Sequence, residues 1–390
     1  MPPYMQWASD IQHSVVLKQN KDESDKMDEK KVQSIVKQCE HFLSYGYPQT
    51  PKQVLSELAA YTNAEADFDR YGEGELITSF EADIARLLGK EAAVFMPSGT
   101  MCQQIALRIW TERRKISRVA FHPTSHLEIH EQQAYRKLHG LDSVLVGPAY
   151  RMLTLEDLKA ISEPIGALLL ELPQREIGGQ LPSWEELNAI IDWAREKGIA
   201  THLDGARLWE CQPFYEREYA ESAGLFDSVY VSFYKVLGGI AGSILAGPAD
   251  FIAEARVWQR RYGGNLIHLY PLVLAAQKGL TERLGRMRSY YTKAKEVAEV
   301  LSAFPQIEIL PALPQTNMMH VFVQGDAEKL TEASLSLAQE TKTLLFSRLV
   351  PTIVPRWSKF ELTIGDASLD LKNEEISELF TQLFASVEAV

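Results

Sequence analysis

Short apolar runs separated by amphipathic stretches dominate the first two thirds of the chain. The runs EAAVF (91–95), VAFH (119–122), SVLVG (143–147), IGALLLEL (165–172), GIATHLD (198–204), SVYVSF (228–233) and GSILAG (242–247) have strand length and are apolar nearly throughout. Between them, periods of three and four predict helices over 79–88, 102–110, 125–138, 153–161 and 183–197. Ser183 caps the last of these, with Glu186 completing a capping box. This alternation predicts an α/β fold, a mostly parallel sheet with helices on both faces.

The flanks read differently. Residues 18–31 are almost wholly polar and predict a surface arm or solvated helix, followed by a helix over 32–42. GYPQTP (46–51) breaks the chain, and Thr50-Pro51 reads as a helix start. After about Leu280 a long charged helix (281–303) precedes the strand-like runs 307–310, 318–324 and 359–364. The expected organisation is an arm and helix (1–45), a large domain (46–280) and a smaller α+β domain (281–390). A chain of 390 residues is long enough for two cores.

Charge and cysteine usage narrow the function. A net charge of −12 gives no basic field for nucleic acid or an anionic membrane, and leaves an anionic small molecule open. The three cysteines show no disulfide or metal-ligand spacing, which fits a reducing, cytoplasmic setting. Neither a signal peptide nor an apolar run of spanning length is visible.

The candidate chemistry clusters at predicted strand ends. Lys235 closes a strand ahead of Leu237-Gly238-Gly239. Read alone it is a surface lysine; the functional reading is a Schiff-base lysine. Asp204 ends a strand before Gly205-Ala206, where open α/β sheets bind ligands. Alone it is a helix cap; functionally it is a carboxylate set against the ring nitrogen of pyridoxal 5′-phosphate (PLP). Arg207 follows within reach of cofactor or a substrate carboxylate. Ser98-Gly99-Thr100 forms a small-residue turn opening a helix, suited to a phosphate, and Ser232 adds a hydroxyl. His126 begins a helix at the same sheet end, placed to stack on the ring and trade protons. His122 and His130 read as surface or packing residues.

The segments YGEGELITSFEADIARLLGKEAAVFMPSGT, HLDGARLWE, SFYKVLGGIAGSILAG and ARVWQRRYGG, from Tyr71 to Gly264, resemble the threonine aldolase branch of the β-eliminating lyase family. The resemblance implies PLP fold type I (aspartate aminotransferase-like) and a homodimer or homotetramer with interface active sites. It also implies cleavage of a β-hydroxy-α-amino acid to glycine and an aldehyde. Lys235, Asp204 and His126 are then the catalytic candidates, and Ser98, Gly99 and Thr100 match the phosphate turn. Arg207 matches an arginine at the substrate carboxylate, and Tyr71 a tyrosine reaching the pocket from the neighbouring subunit. The chain departs from the branch where a Thr-His-Asn-Gly-like loop is expected. It has Pro173-Gln174-Arg175-Glu176-Ile177-Gly178-Gly179 instead, with no histidine. Arg175 is a candidate replacement anchor for the substrate carboxylate. The altered loop keeps β-elimination or another amino-acid reaction open as the alternative, and cofactor binding without turnover is a third reading.

Overall fold

The computed structural model describes residues 23–388. The chain divides into two compact units. One comprises Gln49–Ala294 with Leu313–Met319; the other comprises the described residues up to Pro48 with Lys295–Ala312 and His320 onward.

The first unit is built on a seven-stranded sheet. Its strands are β1 (Ala92–Met96), β2 (Arg118–Phe121), β3 (Asp142–Leu145), β4 (Ala167–Glu171), β5 (Ala200–Gly205), β6 (Ser228–Ser232) and β7 (Ser243–Gly247). Their order is β1-β7-β6-β5-β4-β2-β3. All neighbours run parallel except β7, which is antiparallel to both β6 and β1. Every residue of β4, β5, β6 and β7 is buried, which explains their unbroken apolar character. The register pairs Glu171 of β4 with Asp204 of β5, so two carboxylates stand side by side at adjacent carboxyl ends.

Helix α1 (Glu75–Leu87) begins four residues before its predicted start. Helix α2 (Gly99–Arg114) turns its apolar residues Cys102, Ile105, Ala106 and Ile109 into a core shared with Val94, Leu169 and Leu245 of the sheet. Trp110 stacks on Phe251 of α4 (Ala249–Arg261), with ring centroids 4.8 Å apart. Each such fully buried side chain contributes about 1.5–3 kcal/mol.

Several boundaries differ from the sequence reading for local reasons. The helix expected over 125–138 is two short ones, His126–Ile129 and Ala134–His139. Gln132 and Gln133 between them both take left-handed backbone, with φ of 51° and 55°. Helix α3 (Trp184–Glu196) has the Ser183 cap, but the Glu186 carboxylate accepts from the Leu155 backbone instead of closing a capping box. Thr50 and Gln53 do close one, on the helix Pro51–Tyr61.

In the second unit, β8 (Ile307–Leu310), β9 (Met318–Gln324), β10 (Val350–Pro351) and β11 (Trp357–Thr363) form a sheet of order β10-β11-β9-β8. The polar stretch 18–31 lies partly outside the described residues; from Glu23 it is helical to Val36. The helix predicted over 32–42 therefore ends early. His41–Phe42 instead pair in parallel with Thr343–Leu344, so backbone pairing overrides helical periodicity there. The long helix predicted over 281–303 is Met287–Ser302, preceded by a 3-10 turn at Leu284–Arg286 where Gly285 weakens helical propensity. Among the described residues no helix is long and apolar enough to cross a membrane.

Candidate active site

The site gathers at the carboxyl ends of β4, β5 and β6. Asp204 is 2% exposed and accepts from the Ala206 backbone at 3.1 Å and from the Gln103 side-chain amide. Burial raises its pKa, while His126, the Ala206 N–H and Arg207 pull the other way. Lys235 follows β6 and is half-buried, its Nζ 5.1 Å from the Tyr234 ring centroid. Burial lowers the pKa of its amine, and the guanidinium groups of Arg207 and Arg175 lower it further. A lysine so placed loses its proton more readily, as a nucleophilic amine requires. The Ser232 hydroxyl donates to the Ala206 carbonyl at 2.7 Å, tying the end of β6 to the turn after Asp204.

Helix α2 reaches the same place from below. Ser98 caps it, its hydroxyl accepting from the Met101 N–H at 3.3 Å, and Thr100 is exposed. Gly99 is required by a close approach, since a Cβ there would lie 1.9 Å from the Tyr230 hydroxyl of β6. One turn further, the adjacent Gln103 and Gln104 are both buried. Gln103 reaches Asp204, and Gln104 donates to Glu131 at 2.8 Å.

Glu131 in turn holds His126, whose Nδ1 lies 3.1 Å from its Oε1. Burial opposes charging of that imidazole. The Glu131 hydrogen bond and the carboxylates of Asp204, Glu131 and Glu171 outweigh it, so the His126 pKa lies above the ordinary histidine value. Glu171 accepts from the backbone N–H groups of His126 and Arg175, each at 3.2 Å, and so anchors both the His126 helix and the 173–179 loop. Burial and the neighbouring Asp204 raise the Glu171 pKa. The loop itself is a 3-10 turn, Arg175–Ile177, in which Arg175 pairs with Glu176 at 2.7 Å and Glu176 meets His130 at 2.8 Å. Tyr71 is placed apart, half-exposed on a turn whose backbone N–H donates to Ile267. His122 is buried, its Nε2 2.8 Å from the Arg151 carbonyl, a packing role.

These residues fit PLP. The N-terminus of a sixteen-residue helix, capped by Ser98 with Thr100 exposed beside it, offers backbone N–H groups to a phosphate. A buried carboxylate stands ready for a pyridine nitrogen, and a lysine of lowered pKa for an aldehyde. Residues 52–325 match the β-eliminating lyase family. The chain belongs to that family.

This lyase resembles solved and curated relatives over most of its length. A Listeria monocytogenes structure provisionally described as an L-allo-threonine aldolase shares 42% identity at a TM-score of 0.88, covering 92% of this chain and 99% of that one. An Exiguobacterium structure, provisionally an aromatic amino acid β-eliminating lyase/threonine aldolase, shares 43% identity at a TM-score of 0.87, covering 91% and 99%. A probable low-specificity L-threonine aldolase of Arabidopsis thaliana is 26% identical over 346 residues, covering 86% of this chain and 95% of that protein. With the family come the enzyme class, a carbon–carbon lyase, and the cofactor, PLP.

Sequence reasoning missed four polar groups of this lyase's site: Gln103, Gln104, Glu131 and His202. The signal was available for three of them. Two adjacent glutamines interrupt the apolar face of α2, and His202 interrupts the apolar strand ahead of Asp204. Glu171 stood out as the polar residue of its strand, but its hold on two backbone segments depends on the folded loop.

Proposed function

We propose that this lyase cleaves a β-hydroxy-α-amino acid of the L-threonine or L-allo-threonine type to glycine and an aldehyde. The observation that carries the reading is the convergence of Lys235, His126 and Arg207 on Asp204 at one sheet end, each within its electrostatic reach. The likeness to relatives described as threonine aldolases supports the substrate class.

When bound, PLP supplies a sink for the electron pair released at the substrate Cα. Lys235 would hold the cofactor through its amine. Asp204 accepts a hydrogen bond from the protonated ring nitrogen. Ser98, Gly99 and Thr100 hold the phosphate through backbone N–H groups and hydroxyls, with Ser232 beside them. Arg207 grips the substrate carboxylate, and Arg175 adds charge from the loop. His126 stacks on the ring. With Nδ1 directed at Glu131, its Nε2 takes the β-hydroxyl proton as the aldehyde leaves, the role a loop histidine would otherwise fill. Active sites complete themselves in a cytoplasmic homodimer or homotetramer, with Tyr71 entering from the neighbouring subunit.

Purified PLP-loaded protein is expected to release glycine and acetaldehyde from L-threonine or L-allo-threonine. Absence of both products across a panel of β-hydroxy amino acids discards the reading. The Arg175–Glu176 pair in place of a loop histidine favours β-elimination as the second reading. Pyruvate and ammonia from serine, without glycine, would select it.

A further inference from the structure

Behind Asp204 lies a run of buried polar groups that leads away from the cofactor side. The Gln103 amide contacts the Asp204 carboxylate, and the Gln103 Oε1 lies 2.9 Å from His202 Nε2. His202 Nδ1 lies 2.8 Å from Ser228 Oγ, which lies 2.7 Å from Trp110 Nε1. His202 and Ser228 are fully buried and Gln103 is 1% exposed. His202 and Asp204 are two residues apart on β5, while Gln103 comes from α2, the helix that begins at the phosphate turn.

The carboxylate end fixes the direction of the bonds that follow from it. An indole N–H can only donate, so Ser228 Oγ accepts from Trp110; its second lone pair and its proton leave the bond to His202 Nδ1 to be set by the imidazole. An ionised carboxylate can only accept, so Gln103 turns its NH2 to Asp204 and its carbonyl oxygen to His202. His202 must then be neutral with its proton on Nε2. Burial favours the same neutral state, pushing the His202 pKa down to about 3. If Asp204 carried a proton on the oxygen facing Gln103, the amide would reverse and the imidazole proton would move to Nδ1.

We propose that Trp110, Ser228, His202 and Gln103 form a one-way donor chain that holds Asp204 ionised, with Gln103 and His202 as positioning residues for the cofactor's ring nitrogen. The proposal rests on the PLP reading of the site. Its logic is that a buried carboxyl drifts towards its neutral form unless N–H donors favour the anion. A neutral Asp204 would leave the pyridine nitrogen without a counter-charge.

The test uses the PLP-loaded full chain. In 15N–1H spectra at pH 7, His202 is expected as the neutral Nε2–H tautomer; an imidazolium or an Nδ1–H tautomer overturns the proposal. Gln103→Leu and His202→Phe are expected to raise the PLP dissociation constant about tenfold or more, the scale of a hydrogen bond to a charged group. Both are also expected to move the pH titration of the visible band upward, because the ring loses its positive charge. His202→Gln, which can donate and accept, should recover PLP affinity to within about threefold. Unchanged affinity and titration in Gln103→Leu and His202→Phe overturn the chain. Wild-type protein that binds no PLP overturns the cofactor reading instead, so the two failures are distinct. If the variants do not fold, the wild-type tautomer still decides.

Discussion

The two flanks of the site are built on opposite principles. On the Asp204 side, Asp204, Gln103, His202 and Ser228 are 0–2% exposed, and the Asp204 carboxylate is met by donors from α2 and the backbone. On the Arg175 side the contacts are ion pairs whose side chains keep 31% and 25% of their surface, on a loop between strand and helix. Buried, hydrogen-bonded charges are costly to disturb, whereas partly exposed pairs are screened and worth little. On the proposed reading, the residues for the cofactor's ring nitrogen sit on the buried flank, and the loop that departs from the threonine aldolase pattern sits on the more exposed one.

This contrast can be broken by substitution. The largest effect is expected for Lys235→Ala, which removes the amine that captures the cofactor. Activity should fall by a factor of about a thousand or more, and borohydride should no longer fix the cofactor to the protein. Asp204→Asn keeps the shape and removes the charge; turnover is expected to drop about 10²–10³-fold at nearly unchanged KM. Arg207→Ala is expected to raise KM about tenfold or more, and Arg175→Ala, on the other flank, by less, because Glu176 already engages that guanidinium. Steady-state kinetics decide the order; a larger rise for Arg175→Ala would move the carboxylate anchor to the loop.

A smaller effect sharpens the comparison through pH. Glu131→Gln removes a carboxylate that favours the imidazolium, so the His126 pKa should fall, readable by NMR titration. Because the folded pKa is raised, the stability His126 contributes is complete below its unfolded pKa. It is lost as pH rises through the folded value, and the variant should flatten that window. The smallest effect is expected for Arg113→Ala, far from the site. Its pairs with Asp250 and Glu254 are partly exposed and its guanidinium lies over Trp110, and the loss should stay within about 1 kcal/mol in thermal unfolding.

Much of this contrast was legible in sequence. Strands buried on both faces announce themselves as apolar runs, and their carboxyl ends point to Asp204 and Lys235 without any tertiary knowledge. What escaped was relational. The partner of a buried side chain depends on which helix lies under which strand, and nothing in CQQIAL declares that one glutamine will meet β5 and the next Glu131. The helix break at Gln132-Gln133 was hidden for a similar reason. It is fastened by Glu128, which accepts from Gln133 at 2.8 Å, a contact that exists only once the turn has formed. The departure of the 173–179 loop was visible, but its attachment to Glu171 was not.

The contact of Gly99 with Tyr230 couples two grips that lie far apart along the chain. Tyr230 lies on β6, and Lys235 follows three residues after that strand ends, so the turn that opens α2 and the lysine are both referenced to one strand. A methyl group at position 99 would pry the turn off that strand and change the span between them. On the proposed reading, a Gly99→Ala change would then loosen the hold on pyridoxal phosphate without touching Lys235 itself.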